Sequence, residues 1–176
     1  FHEDQNQKTR FDTEAGGWRI ASSVGGVGTG EHPDRIIIDD PLTAEHARSE
    51  VERAGVNTWF DTTVSTRGVS RDTVIVVIMQ RLHEDDLSGH LLERGGWTHI
   101  CFPMRYETKR EQEPNFKPDA LDPRREPNEL LWPDLFTEKK VRQLELDLGP
   151  YDAAGQLQQR PSPEGGGLFK REWFKE

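Results

Sequence analysis

The sequence is poor in cysteine and in long apolar stretches. Cys101 is the only cysteine in 176 residues, which excludes an internal disulfide and favours a reducing cytoplasm. No apolar run is long enough to span a membrane, and no signal peptide is recognisable. Only 32% of the residues are hydrophobic, so the sequence predicts one domain with a modest core.

An excess of positive charge is also lacking. The net charge of -9 argues against a protein that coats nucleic acid along its length. It is compatible with a DNA motor that contacts phosphates through a few local lysines and arginines. The chain starts at Phe1 rather than methionine, and both ends read as interrupted segments. We therefore expect a piece of a longer protein.

Apolar patterning predicts strands that alternate with helices. "RIIID" and "TVIVVIM" are unbroken apolar runs, typical of parallel strands that helices cover on both faces. The alternation predicts a mainly parallel α/β sheet flanked by helices. The predicted strands are 17–24, 35–39, 73–79 and 97–102, and the predicted helices are 43–63, 82–94, 137–148 and a short one in 151–161.

The connections carry further expectations. Residues 103–132 are polar and rich in proline, and predict a long functional or mobile loop. Thr137 is a suitable N-cap for the helix after it, and Gly149-Pro150 should break that helix. Acidic residues are expected in the first turn of helix 82–94. Residues 162–167 have the composition of a linker.

Two aspartates end the most apolar strand. Ligands of parallel α/β sheets bind at the carboxyl ends of strands, where Asp39 and Asp40 follow three isoleucines. Adjacent carboxylates repel unless a cation such as hydrated Mg²⁺ lies between them. The pattern is that of a Walker B motif, in which Asp39 holds the Mg²⁺ of ATP and Asp40, beside the metal, activates the attacking water. The alternative is a plain Asp-Pro turn.

The neighbouring strand also ends in polar residues. Gln80 suits a group that senses the γ-phosphate or the attacking water, because an amide donates and accepts hydrogen bonds. Arg81 suits the neutralisation of phosphate charge or contact with DNA. The alternatives are that Gln80 caps the next helix and that Arg81 is a solvated charge.

Other charged groups are less specific. His83 and His90, with the acidic residues 84–86, raise the possibility of a metal site, but the spacing matches no zinc pattern. The glycine-rich loop 25–30 has no "GK" and precedes a strand, so we interpret it as a turn. The basic residues of the long loop are candidate phosphate contacts or simply solvated charges: Lys109, Arg110, Arg124 and Arg125.

Several segments in this order resemble one family. "GGWRIASSVGGVGTGEHPDRIIIDDPLTAEHARSE", "WFDTTVSTR", "VIVVIMQRLHEDDLSGHLL" and "QLQQRPSPEGGGLFKREWF" are similar to the large terminase subunit of tailed bacteriophages, the motor that packages viral DNA. The resemblance covers nearly the whole chain, least distinctively in 103–132.

The resemblance implies the second half of a P-loop NTPase-like (ASCE) ATPase domain in 1–161, and in 162–176 a linker with the start of a nuclease domain. "IIIDD" corresponds to the family's Walker B motif, with Asp40 where many relatives have glutamate. The segment from Met79 corresponds to the motif that couples hydrolysis to movement, although Gln80 and Arg81 replace small polar residues. Many terminases carry an arginine near the loop before Walker B, and Arg35 is the nearest candidate for it in this sequence.

The resemblance further implies ATP and Mg²⁺ as cofactors. The expected partners are double-stranded viral DNA, the portal protein, the small terminase subunit and further copies in a ring, in the cytoplasm of the bacterial host. The lysine-bearing phosphate loop would precede Phe1, so this chain alone should hydrolyse ATP poorly. Two alternatives stay open. One is a metal-dependent nuclease that uses Asp39, Asp40 and the acids 84–86, and the other is a non-catalytic prophage remnant.

Overall fold

The computed structural model describes residues 9–26, 30, 32–68, 73–108 and 122–162. Four strands and three α-helices lie in these ranges. They are β1 (Arg10–Asp12), β2 (Trp18–Ile20), β3 (Arg35–Asp39), α1 (Glu50–Trp59), β4 (Val74–Ile78), α2 (Leu87–Arg94) and α3 (Glu138–Asp152). The predicted α/β class is confirmed. The described sheets are small, and each contains two strands.

The central unit is a parallel pair formed by β3 and β4. Ile36, Ile37 and Ile38 lie opposite Ile75, Val76 and Val77, and Asp39 lies opposite Ile78. The parallel pairing predicted from the two apolar runs is therefore present. A parallel pair requires a connection that returns the chain to the starting edge. The helix that begins with α1 makes that return.

The core lies between one face of this pair and the helices α1 and α2. Its buried members are Ile38, Leu42, Val56, Phe60, Val64, Leu87 and Leu91. The rings of Phe60 and Trp97 also form a T-shaped pair, with 5.9 Å between ring centroids.

The opposite face of the pair is open, contrary to the prediction that helices cover both faces. Ile37 is 68% exposed and Ile78 is 54% exposed, and Val74 and Val76 share this face. The physical reason is that the described helices supply only one layer.

The helix boundaries differ from the predicted ones. The 43–63 prediction begins too early, because Ser49 caps α1 by accepting a hydrogen bond from the backbone of Glu52. Beyond Trp59 the helix continues as a π-turn over Phe60–Val64 and a 3-10 turn over Ser65–Arg67. Gly55 lies inside α1, on its exposed side.

Helix α2 is shorter than predicted. It begins at Leu87 with Asp86 as N-cap, so the acidic residues 84–86 precede the helix and its first turn contains none. Asp86 stops the helix from starting earlier, since its side chain bonds backbone N–H groups that a longer helix would engage differently. Helix α3 starts after Thr137, as predicted. Gly149, with φ 73°, places a kink before Pro150, and a π-turn follows over Ala153–Leu157.

Two further strand predictions change. The prediction for 17–24 shortens to β2, which pairs antiparallel with the unpredicted β1. Residues 97–102 form no continuous strand, so that prediction is wrong; the segment instead buries Cys101 and leaves Ile100 exposed. Within 103–132, residues 104–106 bond 128–131, with an antiparallel bridge between Arg105 and Leu130. Residues 109–121 and the boundary predicted after residue 161 fall largely outside the described residues.

Candidate functional site

The aspartate pair lies at the carboxyl edge of the parallel strands, as predicted. Asp39 is the last residue of β3 and is paired with Ile78, the last residue of β4. The backbone N–H of Asp40 donates a hydrogen bond to the Ile78 carbonyl at 2.9 Å, so the pairing continues one residue past the strand. Both aspartates are exposed. The two carboxyl groups therefore lie beside the tip of β4 and open to solvent.

The backbone of Asp40 has an unusual conformation. Its φ of 41° lies in the left-handed region, which few residues other than glycine adopt, although aspartate tolerates it better than most. The following Pro41 restricts the choice further. The backbone N–H of Asp40 is held by the hydrogen bond to Ile78. Leu42, two residues later, is part of the buried core.

Gln80 lies at the same edge, two residues beyond the end of β4, and its side chain is exposed. It follows Met79, which packs against the core. The alternation of core-facing and exposed residues along β4 therefore places Gln80 on the open face of the sheet. Asp39 shares that face, because its strand partner Ile78 is exposed there. The structure thus brings Asp39, Asp40 and Gln80 to one edge.

A metal site is not preassembled in the described residues. In the part of the chain that the structure describes, no three His, Cys, Asp or Glu side chains are grouped closely enough to hold a metal ion. Two carboxylates with water ligands still suit Mg²⁺, which retains several of its own waters and is completed by substrate phosphates. Asp39 and Asp40 are therefore the residues that could hold it.

Arg81 is placed differently from the other predicted site residues. Its Nε lies 3.0 and 3.1 Å from the two carboxylate oxygens of Asp86, and its side chain is only 14% exposed. Its backbone N–H donates to Gln159 Oε1 at 2.8 Å. The guanidinium therefore points back toward α2 rather than toward the aspartate pair. Arg81 is therefore not a solvated charge, and its predicted role in phosphate neutralisation or DNA contact stays a prediction.

Asp86 is the residue around which this loop is organised. From the sequence it was considered only as one of the acidic residues 84–86. It is fully buried and accepts hydrogen bonds from the backbone N–H groups of Leu82, His83 and Gly89 as well as from Arg81. A buried carboxylate is tolerated only with such a complete set of partners. Asp86 is accordingly unavailable as a metal ligand.

The two histidines that the sequence analysis considered for a metal site have separate partners. His83 Nδ1 accepts from the backbone of Asp85 at 3.1 Å, whereas His90 Nε2 lies 3.0 Å from Asp61 Oδ2 on the helix that continues α1. Arg94 bonds the other oxygen of Asp61 at 2.9 Å. Asp61, His90 and Arg94 line a shallow, open cavity together with Glu93. The pair His83 and His90 therefore forms no common site.

Close packing fixes the loop that follows β4. A Cβ added to Gly89 would collide with the carbonyl oxygen of Glu84, and one added to Gly155 would lie 2.7 Å from the carbonyl oxygen of Arg81. Glycine is the only residue that fits at such approaches to backbone. The start of α2 and the π-turn after α3 thus enclose residues 81–86 from two sides.

Two adjacent glutamines connect that loop to the rest of the chain. Gln159 accepts from Arg81 as described, and Gln158 Oε1 accepts from the backbone N–H of Arg105 at 2.9 Å. Gln158 Nε2 also donates to Glu107 Oε1 at 2.7 Å. Sequence reasoning assigned these glutamines no role. The only available signal was the polar pair in "LQQRP", which carries no information on its partners.

An ionic network holds α3 to the same region. Hydrogen bonds from Arg105 to Glu145 at 2.6 Å and to Glu138 at 2.9 Å raise the pKa of the Arg105 guanidinium above its ordinary value. The same contact with Arg105, followed by one with Arg142, lowers the pKa of Glu138 to about 2. Both ions therefore remain charged over the physiological range.

Arg124, a candidate phosphate contact, is buried instead. It forms a two-bond pair with Asp122 at 2.9 and 2.7 Å, and each side chain is only 4% exposed. Burial of the Asp122 carboxyl would raise its pKa, but the hydrogen bonds from Arg124 outweigh burial, so the pKa is lowered. Arg125 is turned to the carbonyls of Asp122 and Arg124. Lys109 and Arg110 lie outside the described residues.

Comparison with known proteins identifies no relative: no family model, no curated protein and no solved structure matches this chain. Among the residues that the structure describes, we find no helix with the length and apolarity required to cross a membrane.

Proposed function

We propose that this chain is the Walker B part of a P-loop NTPase-like ATPase domain, in the large terminase subunit of a tailed bacteriophage. The observation that carries the proposal is the position of Asp39 and Asp40, which end one of two parallel strands and lie beside the tip of the other. The order of sequence segments that resemble terminases supports the same function.

In this proposal Asp39 would hold the Mg²⁺ of ATP. Asp40 would orient or deprotonate the water that attacks the γ-phosphate, and the metal, when bound, would help basic groups to neutralise the charge that develops on that phosphate. Gln80 contacts the γ-phosphate or that water from the neighbouring strand. Arg81 has a positioning role, because its contacts with Asp86 and Gln159 connect the tip of β4 to α2 and to the end of α3.

The proposed work of the full protein is the packaging of double-stranded viral DNA in the cytoplasm of the bacterial host. The expected partners are the portal protein, the small terminase subunit and further copies of the motor in a ring. A shift of Gln80 after hydrolysis would move residues 81–86, and through them α2. A separate nuclease domain would cut the DNA.

The nuclease alternative has less support from the described geometry. It needs carboxylates that converge on two metal ions about 4 Å apart. Asp86 is buried and its carboxylate is occupied by hydrogen bonds within the chain. The side chain of Asp85 is 78% exposed and points to solvent. The non-catalytic alternative makes a different prediction, namely that substitution of the aspartates changes no activity.

The test is ATP hydrolysis by the protein encoded by the whole reading frame. Asp40→Asn should reduce the rate by about 10²- to 10⁴-fold, the usual contribution of general-base catalysis, and leave ATP binding intact. Asp39→Ala should weaken the dependence on Mg²⁺. The matched control is Asp34→Asn, which removes a carboxylate from the opposite end of the same strand. Equal rates for Asp40→Asn and Asp34→Asn would refute the proposed role.

A further inference from the structure

Gln80 lies in a short span of chain that is fixed at both ends. Before it, the carbonyl of Ile78 accepts a hydrogen bond from the backbone N–H of Asp40 at 2.9 Å. After it, the backbone N–H of Arg81 donates to Gln159 Oε1 at 2.8 Å. Only two residues, one of them Gln80, lie between these fixed points. The position of Gln80 at the carboxyl edge of the sheet therefore depends on both hydrogen bonds.

The turn after α3 holds the backbone of Arg81 on two sides. Gln159 accepts the hydrogen bond from its N–H, and the buried Gly155 lies against its carbonyl oxygen, where an added Cβ would be only 2.7 Å away. The guanidinium of Arg81 is meanwhile paired with Asp86. The direction in which the chain leaves Gln80 is thus set by a segment more than 70 residues later in the sequence.

The backbone of Gln159 has an unfavourable conformation that orients its side chain. Its φ of 54° lies in the left-handed region, which residues other than glycine rarely adopt. Its backbone N–H donates to the carbonyl of Gly155 at 2.8 Å, and its Nε2 donates to the carbonyl of Gln156 at 2.7 Å. Because Nε2 is occupied in this way, Oε1 is the end of the amide that faces Arg81. Conformations of this kind cluster at sites where precise placement has a function.

We propose that Gln159 is a positioning residue for ATP hydrolysis, because its side-chain oxygen fixes Arg81 and thereby holds Gln80 in place. The inference rests on the proposed function, in which Gln80 contacts the γ-phosphate or the attacking water. Gln159 has no contact of its own with the nucleotide in this proposal and acts only through Gln80. A displacement of about 1 Å in such a group can lower a rate about 10²-fold.

The adjacent Gln158 supplies a matched control. Its Oε1 accepts a hydrogen bond from the backbone N–H of Arg105 at 2.9 Å, so it makes the same kind of contact from the same turn to a different segment. Gln159→Asn retains an amide and suits a left-handed backbone, but its side chain is one methylene shorter and its oxygen withdraws from Arg81. Gln158→Asn shortens the neighbouring side chain in the same way. Loss of a hydrogen bond to the backbone is common to both variants, whereas only Gln159→Asn releases Gln80.

The first experiment measures ATP hydrolysis by the protein encoded by the whole reading frame. Gln159→Asn should lower kcat about 10- to 10²-fold and leave KM for ATP unchanged, because the contact matters in the transition state. Gln158→Asn should leave both constants near the wild-type values. In a Gln80→Ala background, Gln159→Asn should lower kcat no further. A merely structural role would lower kcat by the same factor in both backgrounds, and that result would overturn the inference.

Two methionines allow a measurement that does not depend on activity. Met79 lies inside the span between the two fixed points and packs against the core, whereas Met104 lies in the segment that Gln158 holds. Their methyl resonances are followed by ¹³C NMR in the same protein, and replacement of each methionine by leucine assigns them. Gln159→Asn should shift the Met79 resonance and leave that of Met104 in place. Gln158→Asn should do the reverse.

The two measurements separate this inference from the proposed function. A wild-type protein that hydrolyses no ATP would refute the proposed function. The Met79 resonance would then decide the inference, since a shift in Gln159→Asn alone supports Gln159 as the residue that places Gln80, and an unmoved resonance overturns it. An active wild type whose kcat is unaffected by Gln159→Asn would overturn the inference and leave the proposed function intact.

Discussion

The carboxyl end of β3 and the loop that follows β4 contain carboxylates in opposite environments. At the edge of the sheet, Asp39 and Asp40 are exposed. In the loop after β4, Asp86 is fully buried and accepts hydrogen bonds from four residues. A carboxylate that is satisfied by its own protein stabilises the fold, whereas a carboxylate left open to solvent is available to a ligand. The comparison separates the residues that shape the site from those that are free to act in it.

The largest expected effect comes from Asp86→Ala. The substitution leaves the guanidinium of Arg81 without its carboxylate, and breaking such a pair typically costs about 3 to 5 kcal/mol. Asp85→Ala, one residue earlier and exposed, should change the free energy of unfolding by less than about 0.5 kcal/mol, and so should Asp39→Ala. Chemical denaturation measures all three. Similar values for Asp86 and Asp39 would remove the distinction drawn between the two regions.

A smaller effect is expected for Gly89→Ala. The new methyl group would collide with the carbonyl oxygen of Glu84, and relief of such overpacking typically costs about 1 to 3 kcal/mol. Gly55→Ala is the matched change in a helix, because an added Cβ there meets nothing within 4 Å. It should stabilise the protein by about 0.5 to 1 kcal/mol, through the better helix propensity of alanine. Stabilisation of the protein by both substitutions would show that the loop relaxes more readily than its packing indicates.

The smallest effect concerns the exposed ionic network on α3, and it depends on pH. The folded-state pKa of Glu138 is about 2, below the ordinary value of 4.5. A lowered pKa stabilises the fold above the ordinary value, and this contribution disappears as the pH falls from about 4.5 through about 2. The difference in stability between wild type and Glu138→Gln should therefore be present at neutral pH and shrink in acid. A difference that is constant with pH would argue against the pairing with Arg105.

The parallel pair was predictable because its signal is local. Two apolar runs with a helical pattern between them leave few other arrangements, and Asp39 and Asp40 follow one run directly. The same holds for Thr137, whose capping role depends on the residues just after it. These features are set by periodicity and backbone hydrogen bonding, which neighbouring residues determine.

The features that the sequence did not predict depend on contacts between side chains, many of them in distant parts of the chain. Arg81 was a candidate for phosphate neutralisation, DNA contact or a solvated charge, and the sequence did not predict that its side chain pairs with Asp86 and its backbone with Gln159. Arg124 was a candidate for a solvated charge or a DNA contact, although its pairing with Asp122 buries it. No pattern in the sequence distinguishes an arginine that will be buried from one that will be exposed. The open face of β3 and β4 was missed for a similar reason, since an apolar run does not reveal how many layers cover it.

The adjacent side chains of Gln158 and Gln159 have one more consequence. Each contacts the backbone of a different segment, Arg105 and Arg81 respectively. The segments at Arg81 and Arg105, which are 24 positions apart in the chain, are thus held in register by two consecutive glutamines. The length of this turn therefore sets both hydrogen bonds at once. Inserting or deleting a single residue between Gly155 and Gln159 would misalign both of them, so insertions and deletions there should be far less tolerable than substitutions.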